Sequence, residues 1–369
     1  MTEDSKDVYK ELQKHLDQMP IGYPTTKSGV EMRLLKRFFT PIEAEIAIRL
    51  HFSWERDYET LDKIFEKTKD LGLSKDELEK HLDQMAEKGI IYSKTADDVK
   101  AYANAMFLIG MYEHQVNRLD KEFLNDFFQY LTQAMGLEIF GTKISQFRTV
   151  PVEESLEYHN EVANYDELRT VISELDGPLA VANCVCRQAT DLLGHPCKVT
   201  DRRELCLGFG HMAQYYIDHG LGREISKEEA LTLLRKNEEE GLVLQAGNAL
   251  RPAFICSCCG CCCPVLRGTK IFPRPVQFFS ANYYAEVDRE LCSGCETCVQ
   301  RCQMNAIRMV KELAKINLKK CIGCGNCVPT CPEEAIQLIK KDQEIDPPPT
   351  TDELYDRILE RKLELKGKK

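Results

Sequence analysis

Eight of the chain's eighteen cysteines repeat one spacing twice. Cys292, Cys295, Cys298 and Cys302 read C-x2-C-x2-C-x3-C, and Cys321, Cys324, Cys327 and Cys331 read the same. Thiols this dense restrict a fold strongly, because the loop that carries them must close around something that binds sulfur. The alternative, a disulfide framework, belongs to small secreted chains that cannot build a core. Here the chain has 369 residues and its first cysteine is Cys184, so reduced metal-binding thiolates are expected. The two copies match beyond their cysteines. At an offset of 29 positions Val287 corresponds to Ile316, Ala306 to Ala335 and Ile307 to Ile336.

Over residues 285–341 this pattern resembles the bacterial two-cluster ferredoxins. The resemblance implies a pseudo-twofold α+β unit wrapped around two 4Fe-4S clusters. It also implies a crossover, in which the fourth cysteine of each run serves the other run's cluster. One cluster would take Cys292, Cys295, Cys298 and Cys331, and the second Cys321, Cys324, Cys327 and Cys302. Pro332 follows Cys331 as the family pattern asks, whereas Gln303 follows Cys302 where that pattern often has proline. Gly294, Gly323 and Gly325 lie inside the loops, where backbone amides can approach sulfur. Zinc would account for four cysteines, but two copies with the crossover spacing favour cubanes.

The composition, 43% hydrophobic and 29% charged, is that of ordinary globular domains. Met1–Pro20 has no apolar signal-peptide core, and the longest apolar run, around Met106–Ile109, is far short of a membrane span. A cytoplasmic protein of an anoxic or strongly reducing cell is expected. A net charge of −10 argues against general affinity for nucleic acid or anionic membrane.

The pattern predicts an α+β multidomain chain: a helical region over 1–148, a Cys-rich α/β middle domain over 149–284, the ferredoxin-like domain over 285–341, and a Pro-rich linker with a helical tail over 342–369. Within the first region, residues 41–93 read as three helices and a short strand, similar to a winged-helix module. Ile42, Ile46 and Leu50 share one face; Leu61, Ile64, Phe65 and Thr68 share another; Leu78, Leu82 and Met85 make the third, after a Ser74–Glu77 capping box. That third helix sets Lys75, Lys80 and Lys88 against Asp76, Glu77, Glu79, Asp83 and Glu87. A net-negative helix repels phosphate, so docking or dimerisation is expected of it, not nucleic-acid binding. An amphipathic pattern through Leu119, Phe123, Phe127 and Leu131 is expected to be core helix within 101–135. Arg148–Pro151 reads as an extended linker.

In the middle domain a helical face over Asn164–Leu175 precedes an apolar strand, Leu179–Val185, expected to point Cys184 and Cys186 to one side. Arg187 follows and can offset thiolate charge. Cys197 and Cys206 complete four candidate metal ligands. Ser226 and Glu229 read as a capping box for a second helix. A strand then leads into Cys256, Cys258, Cys259, Cys261, Cys262 and Cys263, candidate ligands of another centre. Cys184, Cys186, Cys197 and Cys206 are expected to hold one cluster and a subset of the later run another; pooling both groups in one larger cluster is the alternative, zinc a third. Cys258-Cys259-Gly260 is similar to the CCG motif of heterodisulfide-reductase-type subunits, whose paired cysteines hold a non-cubane cluster. His195 and His211 are expected to be ordinary surface or core residues. Gly208, Gly210 and Ala213 satisfy G-x-G-x-x-A, but no preceding apolar strand is legible, so no dinucleotide site is expected.

These readings converge on an iron–sulfur electron-transfer protein, a low-potential one-electron relay that exchanges electrons with a redox-protein donor or acceptor. It would be an electron carrier or a subunit of a redox enzyme, with two 4Fe-4S clusters and one or two more in the middle domain. The first rival is a reductase with a catalytic cluster at Cys256–Cys263. The second is a redox-sensing winged-helix regulator. The tail, with Leu354 and Ile358 on one face and basic Lys366–Lys369 at its end, can dock on its own chain or on a partner.

Overall fold

The computed structural model describes residues 7–156 and 166–367, which form two units. The N-terminal stretch through residue 6, the expected helix start at Asn164 and the last two lysines of the basic end lie outside the described residues.

One unit is drawn from Met1–Thr142, Asp218–Leu221 and Tyr355–Lys369. Helices α1 (Val8–Leu16), α2 (Val30–Phe38) and α3 (Pro41–Arg49) open it. α3 starts where Thr40 and Glu43 form a reciprocal capping box with proline in the first turn, satisfying two backbone donors at once. Strand β1 (Glu59–Thr60), α4 (Leu61–Thr68) and α5 (Lys75–Glu87) follow, then the hairpin β2 (Ile91–Ala96) and β3 (Val99–Asn104), in sheet order β1-β3-β2. Ile46, Leu50, Ile64, Thr68, Leu78, Leu82 and Met85 are buried, whereas Ile42, Leu61 and Phe65 are half-buried, so the third face is wholly core and the first two reach its margin. On α5, Glu79 and Asp83 are engaged by Lys100 from β3.

The helix expected within 101–135 is shorter than its pattern. Residues 99–104 are strand instead, because Asp97 and Asp98 both adopt left-handed φ (+50° and +59°) and turn the chain back onto β2. Helix α6 (Lys121–Tyr130) keeps the aromatic face, with Phe127 stacked on Tyr112 at a ring separation of 3.8 Å, and α7 (Gly136–Gly141) follows.

The second unit comprises Lys143–Ile217 and Gly222–Leu354. Its larger part is a six-stranded sheet: β4 (Phe147–Val150), β5 (Leu179–Asn183), β6 (Glu204–Phe209), β7 (Gly222–Ile225), β8 (Val243–Gly247) and β9 (Phe254–Cys258), in order β4-β8-β9-β6-β5-β7. Every pairing is antiparallel, so the mixture of helix and strand here is of the α+β kind and not the α/β arrangement expected. Helices α8 (Leu168–Glu174), α9 (Val185–Leu192), α10 (His211–Asp218), α11 (Lys227–Glu239) and α12 (Pro264–Thr269) accompany it. Ile172, Val181, Leu207, Leu234, Leu244 and Ile255 share its core.

The expected linker at Arg148–Pro151 is instead the edge strand β4. Arg148 is 1% exposed and donates to the equally buried Asp166 at 2.9 Å. A charged residue reads as surface until its partner is known. The G-x-G-x-x-A stretch does begin in a strand, β6, and runs into α10. Both neighbours of β6 are antiparallel, however, so the parallel crossover of a dinucleotide fold is missing. Ser226 caps α11 through the Glu229 amide, but the Glu229 side chain pairs with Arg223 instead of closing the box.

The remaining elements are β10 (Tyr283–Val287), α13 (Thr297–Arg301), β11 (Ile307–Val310), β12 (Leu313–Ile316) and β13 (Ile336–Lys340). β10 pairs with β13 and β11 with β12, and the cross-strand pairs Val287–Ile336 and Ile307–Ile316 exchange under the offset of 29. The glycines obey the same symmetry. Gly294 (φ +75°) lies against the Glu312 carbonyl and Gly323 (φ +69°) against that of Tyr283, so a Cβ at either would collide with backbone. Finally, α14 (Thr351–Gly367) carries the tail. In the first unit its Tyr355 ring lies 5.5 Å from Trp54, and its Lys362 donates to the Asp17 and Met19 carbonyls and pairs with Glu138. The tail therefore docks on its own chain. Among the described residues no helix is long and apolar enough to cross a membrane.

Candidate metal centres

In the ferredoxin-like region the strand pairs leave two cavities. One is lined by Cys292, Cys295, Cys298 and Cys331 with Met309 and Ile336; the other by Cys302, Cys321, Cys324 and Cys327 with Ile307 and Ile316. Each combines three cysteines of one run with the fourth of the other. The second cavity is the more secluded: burial pushes the Cys324 thiol up to about 12 and that of Cys327 well above its usual value, whereas Cys295 is exposed and its thiol is lowered by its contact with Thr297. Buried thiols ionise only when a cation compensates them, so this donor set fits a metal cluster better than it fits free cysteine. Backbone amides supply further support, Ala306 donating to Cys302 at 3.2 Å and Ala285 to Cys321 at 3.4 Å.

The ten middle cysteines do not fall into the groups expected. Cys184 and Cys186 leave the strand: β5 stops at Asn183, Cys184 is the N-cap of α9 and Cys186 lies in its first turn. Strand alternation thus does not place them. Cys206 and Cys256 face each other across β6 and β9, and Cys258 follows on the same face two residues on. Contacts with Cys258 raise the Cys263 thiol, and those with Cys184 raise that of Cys186. Cys184, Cys186, Cys206, Cys256, Cys258 and Cys263 thus form one array. Cys197 stands apart from it, joined with Cys259, Cys261 and Cys262, all four sulfurs lying within 4.8 Å of one another. Neither His195 nor His211 belongs to that group.

Between the two sets runs the Arg187 side chain, 1% exposed. Its Nη1 donates to Cys184 Sγ at 3.3 Å and to the Ser257 carbonyl at 2.9 Å. Among the described residues Nε and Nη2 have no nitrogen or oxygen partner, and Cys259 and Cys197 are the neighbours that hold the guanidinium charged alongside Cys184. A buried guanidinium without a carboxylate costs several kcal/mol unless anionic groups surround it. Thiolate-bound metal supplies that negative charge, so the orphaned donors fit liganded cysteines and not neutral thiols. Thr190, which donates to Cys262 Sγ at 3.2 Å, and the apolar walls Leu205 and Leu242 complete the surroundings.

The bend that carries Cys259, Cys261 and Cys262 meets the ferredoxin-like region at a joint. Gln303, the residue after Cys302, accepts a hydrogen bond from the Gly260 amide at 2.8 Å, and Gly260 lies between Cys259 and Cys261. A Cβ on Gly260 would collide with the Gln303 carbonyl. Lys270 donates to the Gly260 carbonyl at 3.1 Å and is within electrostatic reach of Cys302, Cys261, Cys259 and Cys263. Elsewhere Arg301 caps the carbonyls of Glu238 and Glu239 at the end of α11, and Asn326 donates to the Leu242 carbonyl. The departure from proline at Gln303 was the one sequence signal of this joint; Thr190 and Lys270 carried none.

Residues 281–345 match the family of 4Fe-4S dicluster domains. No curated protein and no solved structure was found to match the chain.

Proposed function

We propose that the protein is a low-potential one-electron relay. Cys292, Cys295, Cys298 and Cys331 ligate one 4Fe-4S cluster, and Cys302, Cys321, Cys324 and Cys327 the other. At least one further iron–sulfur cluster sits among the middle cysteines. When bound, such clusters accept and release single electrons, and full thiolate ligation leaves no open position for a substrate. The chain's own residues confine them: Met309, Ile307, Ile316 and Ile336 wall the cavities with apolar surface, and Arg187 and Lys270 offset thiolate charge.

The observation that carries this reading is the Gln303–Gly260 joint, which brings the residue after Cys302 onto the middle cysteine run. The α3–β1–α4–α5–β2–β3 order of the other unit we read as a winged-helix-like module, with an acidic α5 suited to a protein redox partner and not to nucleic acid. The test is stepwise reduction of anaerobically purified protein, followed by low-temperature EPR. Middle-domain iron that reduces together with the ferredoxin-like region, with spin coupling that weakens in Gln303→Ala, is the expected result. Middle cysteines that carry no redox-active iron would overturn it.

A further inference from the structure

The sulfurs of the small middle group are too close together for a cubane. Cys197 Sγ lies 3.7 Å from Cys259 Sγ and 3.9 Å from Cys261 Sγ; Cys261 lies 3.4 Å from Cys259 and 3.7 Å from Cys262. Four sulfurs placed about 2.3 Å from one central ion form a tetrahedron with edges of about 3.8 Å. In a 4Fe-4S cluster each cysteine sulfur binds a different iron, which spreads the four well beyond that spacing. The ferredoxin-like region provides the internal contrast, since each four of its thiols line a cavity.

We propose that Cys197, Cys259, Cys261 and Cys262 hold a single tetrahedral metal ion, zinc or iron, while the six-thiol array beside them keeps the middle-domain cluster. This rests on the middle cysteines being metal ligands, as the relay does. Four thiolates around a divalent ion carry a net charge of −2, and the buried Arg187 with two orphaned donors is the cation that offsets it. Thr190 donates to Cys262 and orients that ligand, while Leu205 and Leu242 keep water away. The tight spacing follows from the local sequence: Cys259, Cys261 and Cys262 fall in one bend after β9, and only Cys197 comes from elsewhere.

Metal analysis and spectroscopy of the full-length protein, purified without oxygen, test the assignment. One equivalent of zinc with a four-sulfur shell in X-ray absorption is expected, or else one equivalent of iron that gives the high-spin ferric EPR signal of a mononuclear site once a mild chemical oxidant has taken one electron from it. Absence of both overturns the proposal, without any variant being needed. Cys261→Ser should then lose that single equivalent while sulfide content and the ferredoxin-type EPR signals stay unchanged. A loss of about four irons with their sulfide would instead mean a cubane at this position. Failure of the relay reading is distinguishable, because redox-silent middle-domain iron would leave the metal count untouched.

Discussion

The ferredoxin-like region and the middle cysteine array use the same ligand atom and reach different geometries. In the first, two or three intervening residues separate successive cysteines, the loop curls, and sulfurs end up around two cavities. In the second, cysteines crowd at the end of β9, and strand geometry sorts them: Cys256 and Cys258 join Cys206 across the sheet, whereas Cys259, Cys261 and Cys262 turn away toward Cys197. Donor chemistry selects the class of metal, and backbone spacing selects how many ions fit.

The largest expected effect separates a region with no spare ligand from one with two. Cys327→Ala should lose about four irons, one cubane's worth, whereas Cys258→Ala, removing one of six clustered thiols, should keep its iron; anaerobic iron and sulfide assays decide. Next comes the tie between the regions. Asp166 pairs with Arg148 of β4 and accepts from Asn282 at 3.0 Å, just before β10. Asp166→Asn should cost about 3–5 kcal/mol in chemical denaturation, because Arg148 is left charged and buried.

Arg187→Met should act oppositely with and without metal. The loaded protein should lose about 1.5–3 kcal/mol, the worth of hydrogen bonds to charged groups, and the metal-free protein should gain stability, since an uncompensated buried cation is removed. Equal losses in both states would separate Arg187 from the metal ligands. A pH effect is expected where α11 meets α13. Burial pushes Glu238 up to about 7 from an ordinary 4.5. Between those values the folded protein holds a proton that the unfolded chain has released, so stability falls as pH rises through that window. Glu238→Gln should flatten this slope in denaturation midpoints measured from pH 4 to 8. Smallest is Ser226→Ala, which removes the α11 cap and should cost about 1 kcal/mol.

Much of the ferredoxin-like region was legible because its information is local. The spacing, the offset of 29 and the apolar pairs all lie within one short stretch, and the observed pairing of Val287 with Ile336 and Ile307 with Ile316 expresses the same repeat. The helices of residues 41–93 were legible for a similar reason, since capping and a 3.6-residue period are properties of neighbours along the chain. The β2–β3 hairpin was missed because its turn is Asp97–Asp98, without the glycine that usually marks left-handed φ. Strand β4 was missed because a buried arginine is unreadable without Asp166, eighteen residues away along the chain.

By itself the sequence determined the ligand chemistry, the number of thiols and the repeat that carries eight of them, because identity and spacing along the chain are enough for each. Tertiary structure alone decided how the other ten divide. Cys197 and Cys259 are 62 positions apart, and only the packing of the loop after α9 against the bend after β9 brings their sulfurs to 3.7 Å. The same holds for Arg187 between the two sets and for Gln303 on Gly260. Metal coordination and charge compensation act over a few ångströms in space, and a linear sequence does not encode which distant residues share that distance.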